Sequence, residues 1–248
     1  MKNIVLKSTL AFLLLNFILL NSSCKKHKDV SLNLAFNYKV NNSDFAYNQV
    51  YTINGVAVKF TLAQMYISGI NIEDDALRTE SFTDKYLLIS PESGTKEIGL
   101  ITNKDIHHLH HIRFSFGIDS ITNYQSTAEF AARTAPDPLA AQNPSMYFGN
   151  GNGYIFLRID ALVDTDADGT PETAAEFHIG GENYLQTFDF IAHNDLENGA
   201  NTFAINFNIA KLFDGVDLST EYLTHTNDFP IIAGKIKLNL PAAFTFVN

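Results

Sequence analysis

The chain has 248 residues, with 17 basic and 27 acidic side chains and a formal charge of −10 at neutral pH. So acidic a protein excludes a nucleic-acid partner, because phosphate has to be neutralised by lysine and arginine. With 46% hydrophobic residues, 20 phenylalanines and one cysteine, the fold must be held by packing rather than by an intramolecular disulfide.

Residues 1–23 read as a signal peptide. Lys2 and Lys7 make a basic start, an apolar run from Leu10 to Leu20 is broken only by Asn16, and Asn21-Ser22-Ser23 lead to Cys24. The run is shorter than the roughly 20 residues that span a bilayer. Small polar residues ending at a cysteine point to a bacterial lipoprotein, cut before Cys24 and carrying diacylglycerol on its thiol. Asn21 occupies the −3 position, where the motif prefers leucine, so the alternative is a plain secretory signal with an incidental cysteine. Removing residues 1–23 takes away two lysines and no acid, leaving 15 basic against 27 acidic residues, a charge of −12. Membrane lipid through Cys24 is then the anchor, since an acidic surface gains nothing from anionic headgroups, and a second acyl chain makes such an anchor stable. Residues 24–30 are a flexible spacer, and residues 31–248 one domain on the periplasmic or surface face of the bacterial cell envelope.

Strand patterns follow. Residues 31–40 alternate strictly, Leu32, Leu34, Phe36, Tyr38 and Val40 against Ser31, Asn33, Ala35, Asn37 and Lys39, the mark of a half-buried strand. The alternation returns at Ile112, Phe114, Phe116 and Ile118, at Phe203, Ile205, Phe207 and Ile209, and at Ile236, Leu238 and Leu240. Denser apolar runs at 56–72, 86–89, 154–163, 176–179 and 188–192 add further strands. Turns are marked by Asn54-Gly55, Ser93-Gly94, the glycines of 149–153, Gly180-Gly181 and Asp214-Gly215. Short helices are predicted only at 127–134 and 138–142, with Pro136, Pro138 and Pro144 between and around them. No alternation of strands with long helices appears, which argues against a parallel sheet. The fold class expected is all-β, an antiparallel β-sandwich with few short helices.

Three blocks carry a resemblance. They are YTINGVAVKFTLAQMYISGIN (51–71), FSFGIDSITN (114–123), and SMYFGNGNGYIFLRIDA (145–161) followed by EFHIGG (176–181). In order and spacing they resemble the MbnP-like family, exported β-sandwich proteins named for the periplasmic protein encoded beside methanobactin genes. The resemblance implies copper binding outside the cytoplasm, in some members next to a kynurenine made from tryptophan. Phe148 and Asn150 stand where the two family tryptophans fall, and the chain has no tryptophan, so such a kynurenine cannot form here. Asp160-Ala161 replaces a Glu-Gly pair, and His178 keeps the motif histidine.

Imidazole suits copper and zinc, and a site needs several converging donors. The copper set expected from the resemblance takes His178 first, helped by His193 or by His108 and His110 of the run His107-His108-Leu109-His110-His111. Met146 adds a thioether suited to Cu(I). In an extended strand His108 and His110 point to the side of Ile112 and Phe114, and His107 and His111 to the other. The competing readings are a solvent-wet strand entry for the run, and for His178 a core histidine hydrogen-bonded to backbone.

A second metal pattern lies at residues 164–172. Asp164, Asp166, Asp168 and Glu172 occupy positions 1, 3, 5 and 9 of a calcium loop, with Gly169 at 6 and the Thr170 carbonyl at 7. Ala175 holds position 12, where glutamate closes an EF-hand, and a strand rather than a helix precedes. The plain alternative is an acidic hairpin tip.

No nucleophile elbow, His-Glu-x-x-His or phosphate loop is present, so the protein is read as no enzyme. The function expected is a lipid-anchored envelope protein that binds metal and handles copper. The alternative is a calcium-stabilised adhesion or assembly component with no copper role and an unknown envelope protein partner. The first predicts that His178 meets a second histidine or methionine; the second predicts an ordered acidic loop and no histidine cluster. A hydrolase would show a deep cleft with two convergent buried carboxylates.

Overall fold

The structure is a computed structural model describing residues 29–103, 105–149 and 151–247. The signal segment, Cys24, most of the spacer with His27, and Asn150 lie outside the described residues. In chain order the strands begin with β1 (Val30–Val40), β2 (Ser43–Asp44), β3 (Val50–Ile53) and the long β4 (Val56–Glu73). Three short strands follow, β5 (Thr79–Phe82), β6 (Leu87–Ile89) and β7 (Thr95–Leu100), and then β8 (His108–Phe116). Helices α1 (Ser120–Asn123) and α2 (Thr127–Ala132) precede β9 (Ile155–Val163), β10 (Thr173–Gly180), β11 (Gln186–Asp195) and β12 (Gly199–Asn208). The chain ends through β13 (Leu223–Thr224), helix α3 (Pro230–Ala243) and β14 (Phe244–Val247). None of the helices is long and apolar enough to cross a membrane, among the described residues.

Two sheets form a β-sandwich. The smaller runs β14-β12-β1-β2, with β7 also on β1; the larger runs β11-β8-β4-β9-β10-β13, with β3, β5 and β6 also on β4. The alternation read at 31–40 is realised: Leu32 and Leu34 are fully enclosed, while on the outer face the Asn37 amide donates to Asn206 Oδ1 at 3.2 Å. Phe114 of β8 lies where the layers meet, its ring 5.7 Å from Phe36 of β1 and 5.5 Å from Phe244 of β14, both edge to face. Each such phenylalanine contributes about 1.5–3 kcal/mol by leaving water, and one continuous core joins the two sheets.

Several expectations are corrected. Pairing is mostly antiparallel, but β1 runs parallel to β12 over ten residue pairs and β13 runs parallel to β10. A parallel neighbour needs only a long connection, and here strands of the other sheet supply it instead of a helix. The alternating Ile236, Leu238 and Leu240 belong to α3, where Ile232, Ala233, Ile236, Leu240 and Ala243 are buried and Leu238 is 79% exposed. Pro230 opens that helix, where its missing N–H costs nothing. The helix read at 127–134 forms as α2 with a Ser126–Glu129 capping box, whereas 138–142 forms turns. There Asp137 Oδ1 accepts from Leu139 N at 2.8 Å, and this local bond competes with a helix. Val30, counted with the spacer, begins β1. Gly180, read as a turn, ends β10, and its reason is contact: a Cβ there would lie 2.3 Å from the Tyr154 carbonyl oxygen and 2.9 Å from the Phe148 ring.

Candidate metal centre

On β9 and β10 every second residue faces the core, so the residues between them share the outer face. Arg158 and Asp160 of β9 pair in register with His178 and Glu176 of β10. Arg158 grips Asp160 through Nε at 3.0 Å and Nη2 at 2.9 Å. His178 Nε2 donates to Asp160 Oδ1 at 2.7 Å. Burial opposes the charge on Asp160, but the bonds from His178 and Arg158 outweigh it and hold its carboxyl below the usual range. His178 is buried, and its ring partner is a carboxylate instead of backbone.

A second histidine arrives from far along the chain. Past β13 the backbone turns sharply at Thr226, whose φ is +67°. The Thr226 hydroxyl donates to the His178 carbonyl at 2.9 Å and accepts from Gly180 N at 3.0 Å, closing the open edge of β10. His225 is thereby laid over the outer face, its ring 4.9 Å from that of His178. Nε2 of His225 donates to Glu176 at 2.9 Å and Nδ1 to Asp228 at 2.8 Å. Ionised carboxylates only accept, so this pair of bonds is complete when both nitrogens carry protons. Burial alone would lower the His225 pKa, yet the bonds to Asp228 and Glu176 prevail and raise it. Glu176, His178 and His225 each bring a ligand atom within 4.8 Å of the others. Beside them opens a polar cleft of about 380 Å³, lined by His225, Thr226, Gly180, Tyr124 and Phe148 among others.

The residues singled out in the sequence fall in four places. His178 joins Glu176 and His225, as above. His108, His110 and His193 gather on the β8–β11 pair, and the strands β8, β4 and β9 separate β11 from β10, so His178 and His193 cannot share an ion. Met146 is enclosed in the core and does not line the cleft. The predicted alternation of the histidine run also breaks. Leu109 and Ile112 both point into the core, which leaves His110 and His111 between them, and His111 binds Asp189 at 2.7 Å. In the acidic loop Asp164, Asp166 and Asp168 converge, while Thr170 and Glu172 stand exposed outside that group. Asp164 is buried and accepts from Ala167 N and Gly169 N, both at 2.8 Å.

Glu176 was legible in the sequence, two residues from His178 on the same strand face. His225 was not: 47 positions separate it from His178, and only the parallel β13–β10 pairing brings it in.

The MbnP family model matches residues 29–228. The solved structure of MbnP from Methylosinus trichosporium is similar with a TM-score of 0.59 at 13% identity, covering 88% of this chain and 98% of that one. At such identity the likeness is one of fold. No curated protein matches the chain.

The His225 bonds carry a pH signature in metal-free protein. A raised folded pKa gives stabilisation that is complete below the unfolded value of about 6.5 and fades as pH rises through the folded value. The melting-temperature gap between wild type and His225→Gln, measured with chelator present, is expected to be widest near pH 5.5 and to shrink by pH 8. A gap independent of pH would contradict the doubly bonded imidazolium.

Proposed function

The chain belongs to the MbnP family, and from that premise we propose an exported cell-envelope protein, not an enzyme, that holds copper through Glu176, His178 and His225. The observation that carries the reading is the approach of two imidazoles and a carboxylate at the junction of the family-like blocks, next to Phe148. Phe148 stands at a family tryptophan position, so the metal has no kynurenine neighbour there, and the protein must rely on its own imidazoles. Two histidines and a carboxylate are donors that suit a divalent transition ion, and copper(II) binds such donors most strongly. Asp160, bonded to Nε2 of His178, fixes the ring as outer partners of metal-bound histidines do. Copper must take the place of a proton on His225, so binding strengthens as pH rises.

Copper titrated against a competing chelator is expected to bind on the order of 10–100-fold more weakly to His178→Ala or His225→Ala than to wild type. His27→Ala, in the spacer, should change nothing. Unaltered affinity in both site variants would mean the fold persists without this metal chemistry.

Attachment is proposed through lipid on Cys24, with the acidic domain facing the periplasm or the cell exterior. The Cys24→Ala protein should move from the membrane fraction to the soluble one; a protein that stays with the membrane in spite of the change refutes the anchor.

A second reading, calcium at the acidic loop, draws support from the convergence of Asp164, Asp166 and Asp168. Exported loops of this kind bind at about 10⁻⁴ to 10⁻³ M. About 10 mM calcium, at 10 to 100 times such a dissociation constant, would stabilise the fold by roughly 1.4–2.7 kcal/mol. Melting temperature should rise accordingly in wild type and stay flat in the Asp164→Ala, Asp168→Ala variant. If wild type also stays flat, the segment is a hairpin tip and nothing more.

A further inference from the structure

The β8–β11 pair carries a second convergence of imidazoles. Between the pairs Ile191–His111 and Asn194–Leu109, β8 has one residue, His110, while β11 has two, Ala192 and His193. This bulge puts His193 at φ +49°, and a bulge re-aims the side chain it carries. The His193 ring comes to 4.7 Å from that of His110 and 6.2 Å from that of His108.

Asp75 completes the group from the turn after β4. Its neighbour Asp74 is buried and accepts from Ala76 N and Arg78 N, both at 2.9 Å, and from Arg78 Nε at 2.6 Å. That turn is therefore pinned, and Asp75 projects from a fixed base. Asp75 Oδ1 lies 3.5 Å from His110 Nδ1, and Asp75 Oδ2 lies 3.6 Å from His108 Nε2. Charge-assisted hydrogen bonds run at about 2.7–2.9 Å, so these separations are long for direct bonding. They suit an ion between the atoms: tetrahedral bonds of about 2.0–2.1 Å set ligand atoms about 3.4 Å apart. Asp75, His110 and His193 bring ligand atoms within 4.8 Å of one another. His108 is already oriented, its Nδ1 bound to Asp195 at 2.8 Å and its Nε2 left toward Asp75. A carboxylate on the remote nitrogen is the outer arrangement of metal-ligating histidines.

We propose that Asp75, His110 and His193 form a site for a divalent transition ion of the zinc or copper(II) class, separate from the Glu176–His178–His225 group and with His108 set beside Asp75. The donor set selects the class. Two imidazoles and one carboxylate, with no sulfur ligand among them, suit zinc and copper(II) better than Cu(I), and too few oxygens are present for calcium. Asp75 and His193 are exposed, which keeps the ion in contact with water and free to exchange.

The test isolates this group in a His178→Ala, His225→Ala background. Zinc titrated into that protein is expected to fill one site, and His110→Ala or His193→Asn to weaken it about tenfold or more. Asparagine is chosen at 193 because it tolerates the left-handed backbone. His107→Ala, exposed and outside the group, should leave binding unchanged. Cobalt(II) in the same site is expected to give the strong visible absorption of a tetrahedral ion, lost with His110→Ala. Should the background protein fail to fold, the otherwise wild-type chain is expected to lose one zinc equivalent on adding His110→Ala and His193→Asn together. Equal zinc stoichiometry and affinity with and without those two changes would overturn the site.

Discussion

The backbone of β4 is hydrogen-bonded to β9 over residues 58–65 and to β8 over residues 67–73, with β3, β6 and β5 as further partners. An 18-residue strand so shared leaves few backbone groups to water and cannot slip in register without exposing its apolar set. Both histidine groups depend on it. The β9 strand, registered by β4, carries Arg158 and Asp160 beneath His178, and the end of β4 leads into the pinned turn that presents Asp75. Its own irregularities matter as well. Gly69 sits at φ +56°, and the register with β8 shifts between Ser68 and Asn71, which lets the strand change direction between the two halves of the sheet.

Carboxylates surround the imidazoles of this acidic chain. His108, His111, His178 and His225 each hold a carboxylate oxygen at 2.7–2.9 Å. The consequence differs from place to place. At His111 the partner Asp189 is also held by Arg113 at 2.8 Å, and Arg113 reaches Glu73 at 2.9 Å, which makes a structural network, and the His111 ring packs edge to face on His110 with centroids 4.4 Å apart. At His178 and His108 one nitrogen is bound and the other is left, so the carboxylate orients the ring without consuming it. At His225 both nitrogens face carboxylates, which favours the protonated ring.

Membership of the MbnP family does not by itself carry the chemistry of the family tryptophans. Phe148 keeps the aromatic volume, lining the cleft and lying against Gly180, where any side chain would collide with it and with the Tyr154 carbonyl. Beside that cleft the groups that converge are the imidazoles and carboxylate of β10 and the segment after β13.

The strands with clean alternation were legible because burial on one face imposes a period of two. Residues 31–40 lie in β1 as read, and the alternation that starts at Ile112 gives β8 but stops at Phe116, leaving Ile118 in the link before α1. The run at Ile236, Leu238 and Leu240 was misread because three alternating apolar residues fit a strand as well as a helix. Leu238 faces water, and the helical face emerges only with Ile232, Ala233 and Ala243. The family-like blocks and the candidate ligand types were likewise present in the sequence, as were Glu176 and His178 on one face of one strand. Their partners were decided by tertiary structure alone. Strand order sends His178 and His193 to β10 and β11, with three strands between them. A parallel pairing brings His225 to His178, and a bulge in β11 turns His193 toward His110. Local sequence sets which way a side chain leaves its own strand; which other side chains it meets is set by pairings between residues distant in the chain, and those depend on the packing of the whole sandwich.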